Sequence, residues 1–183
     1  GGQTEGFLES AEPVVKDLLD ANPDCVPDPD EGMTTLDAIR NQFPAGRYAF
    51  DAVAPDGTAL HDRARLTYQV PEGPVLKSPD GETGIDPDQN VTIHWEPVTM
   101  TIPGLLSGGR QNPVDIVAYQ VLVFDANAGE SPLEFDVKVE ATETSVTVPH
   151  QLLQPNTEYN IEVLAIETGG NQTITEGSFS TGS

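Results

Sequence analysis

Oxygen-bearing side chains recur on alternate residues in Asp20-x-Asn22-x-Asp24-x-Val26-x-Asp28, and Glu31 follows. That spacing matches a twelve-residue helix–loop–helix site, which surrounds Ca2+ with carboxylate and carbonyl oxygens. Two features oppose it. Cys25 stands where the sharp turn wants glycine, and Pro23, Pro27 and Pro29 remove backbone donors. Asp86-x-Asp88-x-Asn90 is a second oxygen-rich turn. The competing reading of both is turn chemistry, in which Asp and Asn side chains bond the local backbone. His61, His94 and His150 are scattered over different predicted elements. Ser107 and Ser131 lie in no Gly-x-Ser-x-Gly elbow. Cys25 sits among carboxylates, which raise a thiol pKa and so leave it unreactive. These residues outline no catalytic constellation, so the expectation is a protein that is not an enzyme and has no cofactor, Ca2+ being the one ion it could take.

A different chemistry, contact with a partner, is open to the segment from Thr99 to Arg110. Met100, Ile102, Leu105 and Leu106 supply apolar contact, Gly108-Gly109 supplies freedom, and Arg110 ends the run. Loops at the end of a β-sandwich commonly carry binding residues. The plainer alternative folds the same side chains back over the sandwich end. A glycan site usually offers an aromatic platform, and this segment has none.

The 183 residues carry 8 Lys+Arg against 30 Asp+Glu, a net charge of −22. Phosphate binding needs cationic side chains, so nucleic acid is excluded as a partner, and docking on an anionic membrane is equally disfavoured. The charge instead suits solubility in a salty or extracellular setting. With one cysteine, no intrachain disulfide forms. No apolar run approaches the ~20 residues that span a bilayer, so membrane insertion is not expected. The start, Gly-Gly-Gln-Thr, reads as an expression scar or a processed mature start, and a signal peptide is expected to have been removed.

Residues 1–45 read as an acidic helical lead. A short helix is expected over 12–20, with Pro13 in its first turn, and a second over 36–43, ended near Pro44. Residues 46–71 read as a β-hairpin. Tyr48, Phe50 and Ala52 alternate with Ala49, Asp51 and Val53, and the turn is Pro55-Asp56-Gly57. The return strand sets Leu60, Ala64 and Leu66 on one face and His61, Arg63 and Arg65 on the other. Arg47, Arg63 and Arg65 are three of the five arginines, and pairing with neighbouring Asp and Glu is expected of them. Pro71 to Pro74 reads as a hinge between domains. From 72 to 183, seven strands recur at the spacing of a sandwich.

Within that region the alternating run Val91-x-Ile93-x-Trp95 is followed by Tyr119-x-Val121-x-Val123. Then come Leu153-x-Pro155-x-Thr157-x-Tyr159 and Tyr159-x-Ile161-x-Val163-x-Ala165. A tyrosine opening a strand just after a proline-containing turn is the pattern of a tyrosine corner. In these features residues 74–181 resemble a fibronectin type III domain, with Trp95, Tyr119, Leu153, Pro155 and Tyr159 as structural positions. The resemblance implies a mainly β, immunoglobulin-like sandwich, and a binding or spacer module outside the cytoplasm. It implies no catalytic residues. The loop between the second and third strands is longer than that family's, and no Arg-Gly-Asp tripeptide is present. The order of acidic lead, hairpin and sandwich is similar to that of bacterial exported proteins. The expected function is a non-catalytic exported binding or scaffold module contacting a protein or glycan at the cell surface. The alternatives are a calcium-dependent structural module and an accessory domain of a larger enzyme.

One expectation goes beyond the family. Leu122 and Phe124 alternate against Tyr119, Val121 and Val123, and Leu164 and Ile166 against Val163 and Ala165. Two neighbouring strands are then apolar on both faces, and such patches are rarely left in water. The expected cover is the N-terminal hairpin or helices.

Overall fold

The structure, a computed structural model, describes residues 40–41, 43–103, 110–127 and 135–183. Its contacts divide the chain into two units, Gly1–Tyr68 with Gly104–Arg110, and Gln69–Pro103 with Gln111–Ser183.

In the first unit, β1 (Gly46–Val53) and β2 (Ala59–Leu66) pair antiparallel from Gly46↔Leu66 to Val53↔Ala59. The turn between them is the Pro55-Asp56-Gly57 turn that the sequence suggested. Gly57 N–H bonds Ala54 O at 2.9 Å, so Pro55 and Asp56 are the central residues, and Gly57 alone has a positive φ, 87°. Proline's fixed φ suits the first central position, and glycine alone takes the left-handed position at no cost. Ala54 N–H closes onto Thr58 O, and the Asp56 carboxylate accepts Thr58 N–H. At the other end, Tyr48 donates to Pro44 O and Tyr68 to Phe43 O, which ties the incoming segment to the ribbon. Of the helical lead expected over 1–45, residues 1–39 and 42 lie outside the described residues. Of the second helix, expected over 36–43, Arg40 and Asn41 are helical and Phe43 is in a bend.

The second unit is a sandwich of two sheets. One has the order β3-β5-β8, formed by Val75–Ser78, Val91–Glu96 and Ser145–Val148. The other has the order β4-β10-β9-β6-β7. In chain order these are β4 (Glu82–Ile85), β6 (Ile116–Asp125), β7 (Phe135–Glu140), β9 (Glu158–Glu167) and β10 (Gln172–Thr181). The period-2 runs point one side of each strand between the sheets. Val91, Ile93 and Trp95 on β5 thereby meet Tyr119, Val121 and Val123 on β6. Tyr159, Ile161, Val163 and Ala165 on β9 and Phe179 on β10 complete the same core. Trp95 and Tyr119 stand 5.3 Å apart and tilted, while Tyr159 and Phe179 stack at 5.1 Å.

The sandwich has one strand more than the sequence suggested. β4 reads Glu-Thr-Gly-Ile, with no apolar alternation, and it pairs parallel to β10 as the chain leaves the first sheet for the second. That switch needs a close approach. A Cβ on Gly177 would stand 2.6 Å from Leu76 Cδ1 and 2.6 Å from Asp80 Oδ1, so glycine is what lets the crossing chain lie against β10. Gly81 N–H then bonds Ser178 O at 2.7 Å.

Pro71 to Pro74 is not a hinge. Both prolines are buried, Pro71 bridges Thr101, and its carbonyl accepts the Thr173 hydroxyl at 2.6 Å. The boundary between the units falls earlier, between Tyr68 and Gln69.

Candidate functional site

The tyrosine corner forms from the residues that suggested it. The Tyr159 hydroxyl accepts Gln154 N–H at 2.7 Å and faces Leu152 O at 3.4 Å. The Thr181 hydroxyl holds the same loop from the last strand, donating to Gln154 O and accepting Thr157 N–H. Asn156 takes the left-handed φ of 53° that the bend requires, which asparagine tolerates better than most residues. Leu153 is buried beneath the loop and Pro155 is exposed on it.

Glu167 and Thr101, polar residues buried in the sandwich, hold backbone in place. Glu167, at 4% exposure, turns its carboxylate into the β9–β10 connection. It accepts Gly169 N–H at 2.6 Å, Asn171 N–H at 3.1 Å and the Asn171 side-chain amide. Gly170, with φ of 90°, completes that turn. Thr101 is fully buried and its hydroxyl accepts Asn112 N–H at 2.9 Å. Nothing in the sequence pattern marked Glu167 or Thr101, because each is a polar residue whose role depends on where its chain doubles back.

The long connection after β5 is a pinned ribbon at both ends. Val98 N–H bonds the Tyr119 hydroxyl, and Val114 N–H bonds Thr99 O. Thr101 pairs with Asn112, Met100 bridges Pro113, and Ile102 N–H bonds Val70 O. Gln111 joins the Glu72 carboxylate and Thr101 O. Among the contact residues expected here, Met100 and Ile102 are therefore half-buried, Arg110 is exposed, and Leu105 and Leu106 lie outside the described residues. The Tyr119 hydroxyl, buried beside Trp95, has its pKa raised by burial, an effect the Val98 N–H partly offsets.

The calcium stretch Asp20, Asn22, Asp24, Asp28 and Glu31 lies outside the described residues, as does Cys25. The second oxygen-rich turn shows turn chemistry. Asp86 accepts Asp88 N–H on its side chain and Gln89 N–H on its carbonyl, while the Asn90 side chain accepts His150 N–H at 2.9 Å. His61 bonds Asp51 at 2.5 Å on the hairpin, and His94 is exposed on β5. The three histidines do not converge.

Among the described residues, large apolar side chains are exposed at Val75 and Val117 on the sandwich and at Phe50, Val53 and Leu60 on the hairpin. Paired residues of an antiparallel ribbon share a face. Arg47, Arg65 and Arg63 thus lie on one face with Ala49, Asp51 and Val53, while Tyr48, Phe50, Leu60 and Leu66 lie on the other. The expected pairing of the arginines is not seen. Among the described residues no ion pair holds Arg47, Arg63 or Arg65, because Asp51 is engaged by His61 and Asp62 accepts the Arg63 backbone N–H. Phe50 and Leu60 are 57% and 52% exposed, and Val53 is 73% exposed. In the sandwich, Leu164 is buried and Leu122, Phe124 and Ile166 are half-buried on the face of their sheet turned away from the core.

No family model and no curated protein sequence matches the chain. Solved structures similar to it include the fn3 domain of human collagen alpha-1(XX) chain, 23% identical over 61% of this chain and 83% of that one, with a TM-score of 0.38. The chicken CNTN1 FN1-FN3 domains are 19% identical over 74% of this chain and 44% of that one, with a TM-score of 0.40. A fourth FNIII domain from human is 18% identical over 62% of this chain and 78% of that one, with a TM-score of 0.39. The fold follows from the chain's own strand order: three strands, β3-β5-β8, face five, β4-β10-β9-β6-β7, and a tyrosine corner leads into β9. Residues 75–181 therefore have the fibronectin type III fold.

Proposed function

We propose that this chain is a non-catalytic binding or scaffold module, exported from the cytoplasm, that contacts a partner protein through the β1–β2 hairpin. The observation that carries this reading is the exposure of Phe50, Val53 and Leu60 on both faces of a two-stranded ribbon. A hairpin of this size is marginal in water, and exposed aromatic and branched side chains clustered on one element commonly mark a protein contact. The acidic surface suits an extracytoplasmic setting, where net charge keeps a protein soluble.

The test places a photo-crosslinking residue at position 50 in the full chain in its native source and identifies what it captures. The captured protein is then purified and its binding measured by calorimetry. Phe50→Ser with Leu60→Ser should weaken that binding by about tenfold or more, as loss of an apolar anchor does. Equal binding by wild type and the double variant would remove the hairpin from the contact and with it this reading.

A further inference from the structure

The reading above leaves open what the partner presents. We infer that the arginine face of the hairpin takes an extended acidic segment of a partner protein, added as a third strand along the outer edge of β2. The inference rests on the hairpin being the contact element and names the chemistry it contacts.

The arginines are arranged at a cost. Arg47 stands directly opposite Arg65 in the register, and Arg63 follows on the same face. Like charges set opposite each other across a ribbon destabilise it. A chain with 30 carboxylates has ample means to neutralise three guanidiniums, yet among the described residues none of the three has an ion pair. The near carboxylates are already committed, Asp51 to His61 and Asp62 to a backbone N–H on the opposite face. The sequence separates its cations in the same sense. Residues 69–103 and 111–183 contain two lysines, no arginine and seventeen carboxylates, and all five arginines lie outside those ranges. The face that carries Arg47, Arg63 and Arg65 against Asp51 is therefore the local cationic feature of a strongly acidic chain.

The spacing selects the ligand. Arg63 and Arg65 are two residues apart on one strand, so their side chains repeat at about 7 Å, the repeat of alternate side chains in any extended peptide. β1 and β2 form a sheet of two strands, and a peptide that adds to an edge gains main-chain bonds there. Added beside β2, it would place alternate residues in cross-strand pairs with Arg63 and Arg65. Asp or Glu at those positions would meet guanidiniums, whose planar forks bind carboxylates through two parallel bonds. Ala49, opposite Arg63, keeps the floor of the face low, and exposed Val53 offers an apolar contact toward the tip.

The probe is a synthetic octapeptide alternating Glu with Val or Thr, titrated into the full chain and followed by amide chemical shifts. Expected is saturable binding with the largest shifts along β2, weakened about tenfold or more by Arg63→Gln with Arg65→Gln and by raised salt. The double variant must keep the wild-type shifts of β1. If it loses them, Arg47→Gln alone serves as the test, with a smaller loss expected. Three binding results overturn the inference. They are no binding of the peptide, equal binding of a peptide of the same composition with its acids in one block, or sole binding of heparin or duplex DNA by the arginines. If one of these occurs while Phe50→Ser with Leu60→Ser still abolishes capture of the crosslinked partner, this inference falls and the hairpin-contact reading stands. Self-association of the chain, lost in the arginine variants and seen by sedimentation, would also overturn it by giving the face a different occupant.

Discussion

Tyr159→Phe isolates what the corner hydroxyl contributes. The ring is fully buried and stacked on Phe179, and phenylalanine keeps both relations. What is lost is the acceptor for Gln154 N–H at 2.7 Å, since the 3.4 Å approach to Leu152 O is too long to add much. A typical hydrogen bond contributes about 0.5–1.5 kcal/mol net, and a donor left buried without a partner costs about 1–3 kcal/mol. Gln154 is itself exposed, so water recovers part of that penalty, and the expected loss is about 1.5 kcal/mol. Truncation to alanine also opens a cavity and should cost about 3–5 kcal/mol. Trp95 is the one tryptophan in the chain and is 3% exposed inside the sandwich, so its fluorescence reports unfolding of that unit. With a urea slope of about 1–3 kcal/mol/M, Tyr159→Phe should lower the midpoint by about 0.5–1.5 M and leave the slope unchanged. Thr181→Val loosens the same residue at its carbonyl, so the two changes should couple by about 0.5 kcal/mol or more in a double-mutant cycle. A loss below about 0.3 kcal/mol for Tyr159→Phe, with no coupling, would show that the corner is held by ring packing alone and that the hydroxyl geometry carries no energy.

Glu167→Gln removes the charge from a buried carboxylate that accepts three donors in the β9–β10 turn, and should cost about 1.5–3 kcal/mol. Amide exchange at Gly169 and Asn171 should speed up more than exchange in β5; uniform acceleration would mean the carboxylate acts on the whole unit and is no local clamp. The Tyr119 phenol has its folded pKa raised above 10 by burial. The folded state then holds a proton that the unfolded state releases, so the sandwich keeps its full stability below about pH 10 and loses it as pH rises further. Urea midpoints measured across that range should fall, and Tyr119→Phe should flatten the fall; an identical slope in both proteins would assign the alkaline loss to other groups.

What could be read from the sequence was set by repetition. Val91, Ile93 and Trp95, then Tyr159, Ile161, Val163 and Ala165, each repeat every second residue because each buries one strand face. That regularity survives without any knowledge of neighbours. The tyrosine corner was legible for a related reason, since all its parts lie within a few residues. The elements that escaped depend on partners distant in sequence. β4 is a strand because β10 lies beside it, not because Glu-Thr-Gly-Ile favours one. Pro71 looked like a hinge because proline usually breaks regular structure, and it is held because Thr101 and Thr173 reach it from far along the chain.

The same distinction bears on function. Inside the sandwich, polar side chains such as Glu167, Thr181 and Thr101 have donors and acceptors already engaged with backbone, so changing them alters stability first. On the hairpin the opposite holds. Its arginines face one another, its apolar tip is open, and the local rules for a stable ribbon are broken on both faces. Places where a sequence departs from local consistency are where a function is expected to have imposed the choice. If the hairpin were only a structural extension, Arg65→Thr should stabilise it by removing the like-charge pair, by about 0.2–1 kcal/mol, and should change nothing else. If it is the contact element, the same substitution should stabilise the ribbon and weaken partner binding together. A variant that gains stability with binding intact would place the contact elsewhere, and the pinned ribbon around Met100 and Ile102 would be the next surface to test.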